Sequence, residues 1–218
     1  MGHWTTLDTP HGQIAAWHAQ PVGQPRGGLV VIQEIFGVNA HVRQVAEGFA
    51  AEGYEVLAPA FFDLVEKDAQ LEYDAAGTAR GLQMVGALGL DKAVEVVQAA
   101  ATVLAPAGKV GTVGYCWGGT VALLSATRLG LPSVSYYGAR NAQHLDEPLK
   151  APVIFHFGEQ DKSISAEAVQ QHRDKLPGSP VYVYPADHAF NRDVGPHWAP
   201  ESAKLARERT LAFFAENL

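Results

Sequence analysis

The stretch KVGTVGYCWGGT, Lys109 to Thr120, contains the only cysteine of a 218-residue chain. Val110, Val113 and Tyr115 belong to a short apolar run that reads as a strand. WGGTVALLSATRLG, which follows, reads as a helix. Cys116 therefore falls between a predicted strand and a predicted helix, in the pattern glycine-x-cysteine-x-glycine. A buried cysteine usually behaves as a small hydrophobe, and a hydrophobe has no need of flanking glycines. Gly114 and Gly118 suit a sharp turn in which strand and helix pack closely and a nucleophile points out at the carboxyl end of a sheet. The helix N-terminus there favours negative charge on the sulfur, and the backbone N–H of Trp117 can serve as an oxyanion donor. Taken alone, the pattern fits an inert, packed cysteine as well.

The rest of the chain separates these readings. Near-continuous apolar runs alternate with helical segments: GGLVVIQE, YEVLAPA, KVGTVGYC, PSVSYYG, APVIFHFGE and PVYVYP are predicted strands. That alternation indicates a mostly parallel sheet with helices on both faces. HGQIAAWHA near the start can add an antiparallel strand or hairpin at the edge. Asn39 is the expected N-cap and Gly53 the expected stop of a helix between them. A helical region over residues 75–104 is broken near Gly86 to Gly89, and SAEAVQQHRDKL and APESAKLARERTLAFFAENL are also helical. The length suits a single domain, residues 1–218.

In this fold class, an acid and then a histidine follow the nucleophile, each after a strand. GEQD places Asp161 just after one strand, and YPADHAF places His188 just after the next. Glu159 is the rival acid, and Asp187 is expected to shape the loop. His156 lies within a strand and reads as a satisfied core residue. His3, His11, His18, His41, His144, His172 and His197 lack this context and metal-ligand spacing, so no metal site is expected.

Composition narrows the function classes. The net charge is -7, with no basic stripe, which argues against nucleic-acid binding. No apolar run reaches the length of a membrane helix. The N-terminus lacks the pattern of a signal peptide, and a lone cysteine gives no disulfide framework. A cytoplasmic enzyme is the expectation. No dinucleotide or phosphate-loop glycine pattern follows any strand.

The motifs QEIFGVN (Gln33 to Asn39), GYCWGG (Gly114 to Gly119), GEQD (Gly158 to Asp161) and ADHAFNR (Ala186 to Arg192) together carry a resemblance to the dienelactone hydrolase (carboxymethylenebutenolidase) family of α/β-hydrolases. The C-terminal ERTLAFF is similar to the family's last helix, and the resemblance covers about residues 5 to 216. It implies an α/β-hydrolase core without a large cap domain. It implies Cys116 as nucleophile, His188 as base and Asp161 as the acid that orients it. It matches Glu34 to a glutamate that controls the thiol's proton, and Ile35 to the second oxyanion donor. Substrate carboxylate contacts fall to Arg192 and Arg80, the latter in a poorly matching segment. Phe36 and Tyr137 are pocket candidates, as are Phe61, Phe62, Trp117 and Phe190.

The expected activity is hydrolysis of a small ester or lactone through a thioester, without a cofactor, by a monomer or small homo-oligomer. Two rivals keep the same residues: a non-catalytic small-molecule-binding protein on this fold, and an acyl transferase.

Overall fold

A computed structural model describes residues 2–218. It contains eight strands and six α-helices in an alternating α/β order. The described residues form two compact units, residues 2–112 with Leu218, and residues 113–217.

The first unit begins with a hairpin of β1 (His3–Thr9) and β2 (Gly12–Ala19), in which Leu7 faces Ile14. β2 alternates buried and accessible residues from Ile14 to Trp17, and β1 buries Leu7, as expected where one face packs on a core. Then come β3 (Gly28–Ile32), α1 (Ala40–Ala51), β4 (Glu55–Pro59), α2 (Ala75–Leu88) and α3 (Leu90–Leu104). Strand order within this unit is β1-β2-β4-β3. β2 pairs antiparallel with β4, and β4 parallel with β3. All five residues of β3 are buried, which explains why its sequence is a continuous rather than an alternating apolar run.

Helix ends follow local chemistry. The Asn39 side chain accepts a hydrogen bond from Val42 N–H and caps α1. Val42, Ala46, Phe49 and Ala50 then bury one face at helical spacing. Gly53, at φ +97°, turns the chain away in the left-handed region. Gly89 alone separates α2 from α3, placing the expected break at the end of the predicted Gly86 to Gly89 interval.

The second unit takes the end of β5 (Val110–Tyr115), then α4 (Trp117–Leu124), β6 (Ser133–Tyr136), β7 (Val153–Gly158), α5 (Ala166–Lys175), β8 (Val181–Tyr184) and α6 (Pro200–Asn217). Its strands are ordered β5-β6-β7-β8, and both β6–β7 and β7–β8 are parallel. Every residue of β7 is buried. α4 runs into a π-helical turn, Ser125–Leu129, which Gly130 ends in the left-handed region. The mostly parallel architecture with interleaved helices is the expected α/β-hydrolase arrangement.

Parallel β6, β7 and β8 share one carboxyl edge, and loops at that edge are where open α/β sheets carry function. Asp161 lies three residues beyond β7 and His188 four beyond β8. Cys116 directly follows β5.

Candidate active site

The elbow is a strained turn. Cys116 has φ +56° and ψ -116°, a conformation that residues with a Cβ seldom adopt. Its amide N–H still donates to Tyr136 O, at 3.0 Å, and its carbonyl accepts from Gly119 N–H at 3.0 Å. The turn works because its surroundings lack side chains. A Cβ on Gly114 would lie 1.8 Å from Gly118 O, and one on Gly119 would lie 2.5 Å from Tyr136 O. Cys116 as a residue is partly accessible, and Trp117 is the first residue of α4.

Gly158 performs the same service on the other side of the site. A Cβ there would meet Ala186 O at 2.3 Å. The loop after β7 therefore runs directly against the loop after β8, joined by Glu159 N–H to Tyr184 O (2.8 Å) and Gln160 N–H to Ala186 O (3.0 Å). This contact brings Asp161 to His188.

His188 Nδ1–H donates to Asp161 Oδ2 at 2.6 Å. The other carboxylate oxygen, Oδ1, accepts from Ser163 N–H at 2.7 Å. The Asp161 side chain has no exposed surface, while that of His188 retains 22%. Glu159, the rival acid, is exposed. The Cys116 side chain hydrogen-bonds the same imidazole. With Nδ1 occupied by Asp161, Nε2 is the nitrogen left for the sulfur. Burial pulls the His188 pKa down, but hydrogen bonds to Asp161 and Cys116, together with their negative charge, overcome it and push it up to about 10. These partners favour the imidazolium form of the ring.

Asp187 has a separate task. Its Oδ1 accepts from the His188 backbone N–H at 2.7 Å, and its Oδ2 meets His197 Nδ1 at 3.1 Å. It shapes the histidine loop, as the sequence suggests. The His197 partnership has no sequence signal, because its ten-residue spacing within an irregular loop follows no helical or strand period. Ala189, at φ +60°, completes the turn.

The remaining candidates fall in several places. Arg192 is buried in the histidine loop, and its Nε–H donates to Val194 O at 3.1 Å. Tyr137 and Phe190 are fully buried, with ring centroids 5.4 Å apart. In the first unit, Glu34 and Ile35 are buried directly after β3. Phe36 packs edge-on against Tyr73 at 4.7 Å. Phe61 and Phe62 are core residues of a short 3-10 turn. Arg80 is on α2, half exposed, with its guanidinium paired to Glu66. His156 is fully buried and satisfied by Tyr184 and Thr210. Among the described residues, no group of three or more His, Cys, Asp and Glu side chains is arranged to hold a metal ion.

A mostly parallel α/β sheet with a strained elbow and an Asp-bound histidine after the last two strands defines an α/β-hydrolase fold. The dienelactone hydrolase family model matches residues 14–218, and the chain belongs to that family. An Azospirillum brasilense protein assigned as a carboxymethylenebutenolidase is 34% identical, the match spanning 95% of each chain. The carboxymethylenebutenolidase of Pseudomonas sp. strain P51 is 31% identical, over 94% of this chain and 92% of the relative. A crystal structure assigned as a dienelactone hydrolase, from Klebsiella pneumoniae subsp. pneumoniae, superposes with a TM-score of 0.85 at 28% identity, covering 99% and 98% of the two chains. Family membership makes the chain an ester- and lactone-directed hydrolase.

Proposed function

We propose that the protein hydrolyses a small carboxylic ester or lactone through Cys116, His188 and Asp161, by way of a thioester acyl-enzyme. The observation that carries this reading is the shared imidazole: Asp161 holds Nδ1 at 2.6 Å, and the Cys116 side chain hydrogen-bonds the same ring. Cys116 attacks the carbonyl carbon as a thiolate, with His188 as the imidazolium beside it. The backbone N–H of Trp117, the first residue of α4, supports charge developing on the carbonyl oxygen. As the tetrahedral intermediate collapses, His188 gives its Nε2 proton to the departing alkoxide. The acylated sulfur is then neutral, so one of the charges holding the imidazole protonated is gone. Neutral His188 takes a proton from water, hydroxide attacks the thioester, and the thiolate departs beside a restored imidazolium. Asp161 keeps Nδ1 protonated throughout.

Arg192 is the candidate contact for a substrate carboxylate, since a guanidinium binds one in bidentate fashion. The roles of Glu34, Ile35 and Phe36 rest on the QEIFGVN motif and its place after β3, and that of Arg80 only on its place in the helical region before the elbow.

The test assays Cys116→Ala and Cys116→Ser on a panel of activated esters and lactones, with mass spectrometry of quenched reactions. The wild type should gain the acyl mass on the Cys116 peptide. Cys116→Ala should lose roughly three orders of magnitude or more in turnover. Wild-type turnover in Cys116→Ala overturns the assignment.

A further inference from the structure

Tyr137, the residue that follows β6, has φ +38°. For an aromatic residue the left-handed region is costly, by about 1–3 kcal/mol. Such strain persists only where its surroundings hold it. Here the backbone N–H remains in the ladder, donating to His156 O at 2.8 Å. The turn at Tyr137 sends its side chain out of the strand's alternation, and the ring, fully buried, reaches His188 with centroids 5.1 Å apart and planes tilted by 55°. Phe190 backs it at 5.4 Å. The preceding residue holds the other partner, since Tyr136 O accepts the Cys116 N–H at 3.0 Å. Adjacent residues of one strand end thus touch the elbow and the histidine.

We propose that Tyr137 is a positioning residue: its strained backbone places its ring against His188, so that the imidazole cannot pivot about its bond to Asp161 and keeps Nε2 on the Cys116 sulfur. The proposal rests on the Cys116–His188–Asp161 reading and adds a fourth member that acts through His188. A hydrogen bond at one ring nitrogen leaves the imidazole free to swing about that bond. A packed aromatic ring removes this freedom and also favours the cationic form of its neighbour. The groups facing His188 within its own unit include Cys116 from the elbow, Asp161 from the loop after β7, Asp187 at its backbone N–H, and Tyr137 from β6.

The experiment compares Tyr137→Phe, Tyr137→Leu and Tyr137→Asn with the wild type and with Cys116→Ala. The readouts are kcat and KM on p-nitrophenyl acetate and the pH dependence of Cys116 alkylation by iodoacetamide. Phenylalanine keeps the ring and should stay close to wild type. Leucine removes the ring, and asparagine removes it while accommodating the left-handed backbone. Both should lose about tenfold to a hundredfold in kcat, with KM little changed and the alkylation midpoint moved to higher pH. A role in packing alone would lower the melting temperature without moving that midpoint.

Wild-type kcat and alkylation profile in a folded leucine or asparagine variant overturn the proposal, as does a Tyr137→Phe defect equal to that of leucine. The unaltered protein gives a readout that needs no variant: a nuclear Overhauser contact between the ring protons of Tyr137 and His188, whose absence also overturns it. Activity in Cys116→Ala instead overturns the nucleophile assignment on which the proposal rests.

Discussion

Two histidines of the second unit lie one element apart in chemistry as well as in space. His188, on the loop after β8, is pushed up to about 10. His156, inside β7, is pushed down to about 3. Both are largely surrounded by protein and both lie against tyrosine rings, with Tyr137 5.1 Å from His188 and Tyr136 4.4 Å from His156. Burial acts on both in the same direction, against the imidazolium. The partners differ. His188 bonds to a carboxylate and a sulfur, whereas His156 meets two hydroxyls and feels the positive charge of Arg209.

The hydroxyl network fixes the His156 tautomer. Thr210 gives its single hydroxyl proton to Ala206 O at 2.9 Å, so it accepts from His156 Nε2–H at 3.1 Å and from Tyr136 OH at 2.8 Å. His156 Nδ1 then accepts from Tyr184 OH at 2.8 Å, and Tyr184 accepts from Arg209 Nη1 at 3.1 Å. Every bond suits a neutral ring, and none requires a charge. His188 therefore carries its proton beside a carboxylate, and His156 stays neutral and joins β7 to α6 through Thr210. The lesson is that burial sets the cost of a charge while the nearest ionised partner decides whether it is borne.

The comparison breaks most severely at Asp161. Asp161→Asn leaves His188 with a neutral partner, as His156 has, and an amide that can donate to Nδ1 selects the wrong tautomer. The expected loss is about 10³–10⁴-fold in kcat on an activated ester. The His188 titration, followed by proton NMR, should move well below its wild-type position. An asparagine variant with wild-type turnover would remove Asp161 from the site. Glu159, exposed one turn away, would then be the acid to test.

How much of this was legible in the sequence depends on whether a feature is local. GYCWGG shows the elbow because the glycines, the nucleophile and the helix start are contiguous. Asp161 and His188 are legible because each follows a strand at a fixed edge. The His156 reading succeeds for a similar reason, since a histidine inside a continuous apolar run must find partners. β1 was missed: HWTTLDT is short and polar, and its pairing with β2 through Leu7 and Ile14 is tertiary. The left-handed backbone at Tyr137 leaves no mark either, because no glycine or asparagine announces it. Nor does the Asp187–His197 contact, which depends on how an irregular loop closes.

The second way to sharpen the comparison is pH, because the two histidines pull stability in opposite directions. For His188 the folded pKa is raised, so its contribution is fully present below the unfolded value of about 6.5 and is lost as pH rises toward 10. For His156 the folded pKa is lowered. Between about 6.5 and 3 the unfolded chain binds a proton that the folded chain refuses, so stability falls as pH falls through that window. Each slope is at most about 1.4 kcal/mol per pH unit. Urea unfolding from pH 4 to 10 should show a maximum near neutrality. In Asp161→Asn the alkaline limb should flatten while the acid limb remains.

His156→Phe gives the smallest effect and the cleanest separation of the two regions. The ring fits the stack formed by Tyr136 and Tyr182, whose centroids lie 4.4 Å and 5.5 Å from His156. What is lost is the pair of hydrogen bonds to Tyr184 and Thr210. Tyr184 keeps Arg209, and Thr210 keeps Ala206 and Tyr136, so neither hydroxyl is left without a partner. The expected cost in urea unfolding at pH 7.5 is therefore about 1–2 kcal/mol. At pH 4.5 the gap should narrow, because phenylalanine also removes the proton that the wild-type unfolded state gains there. Turnover should stay close to wild type, since no side chain of the network hydrogen-bonds the side chain of Cys116, His188 or Asp161. A variant that matched wild-type stability at both pH values but lost turnover would place His156 in the catalytic half of the molecule, and the division between the two histidines would fail.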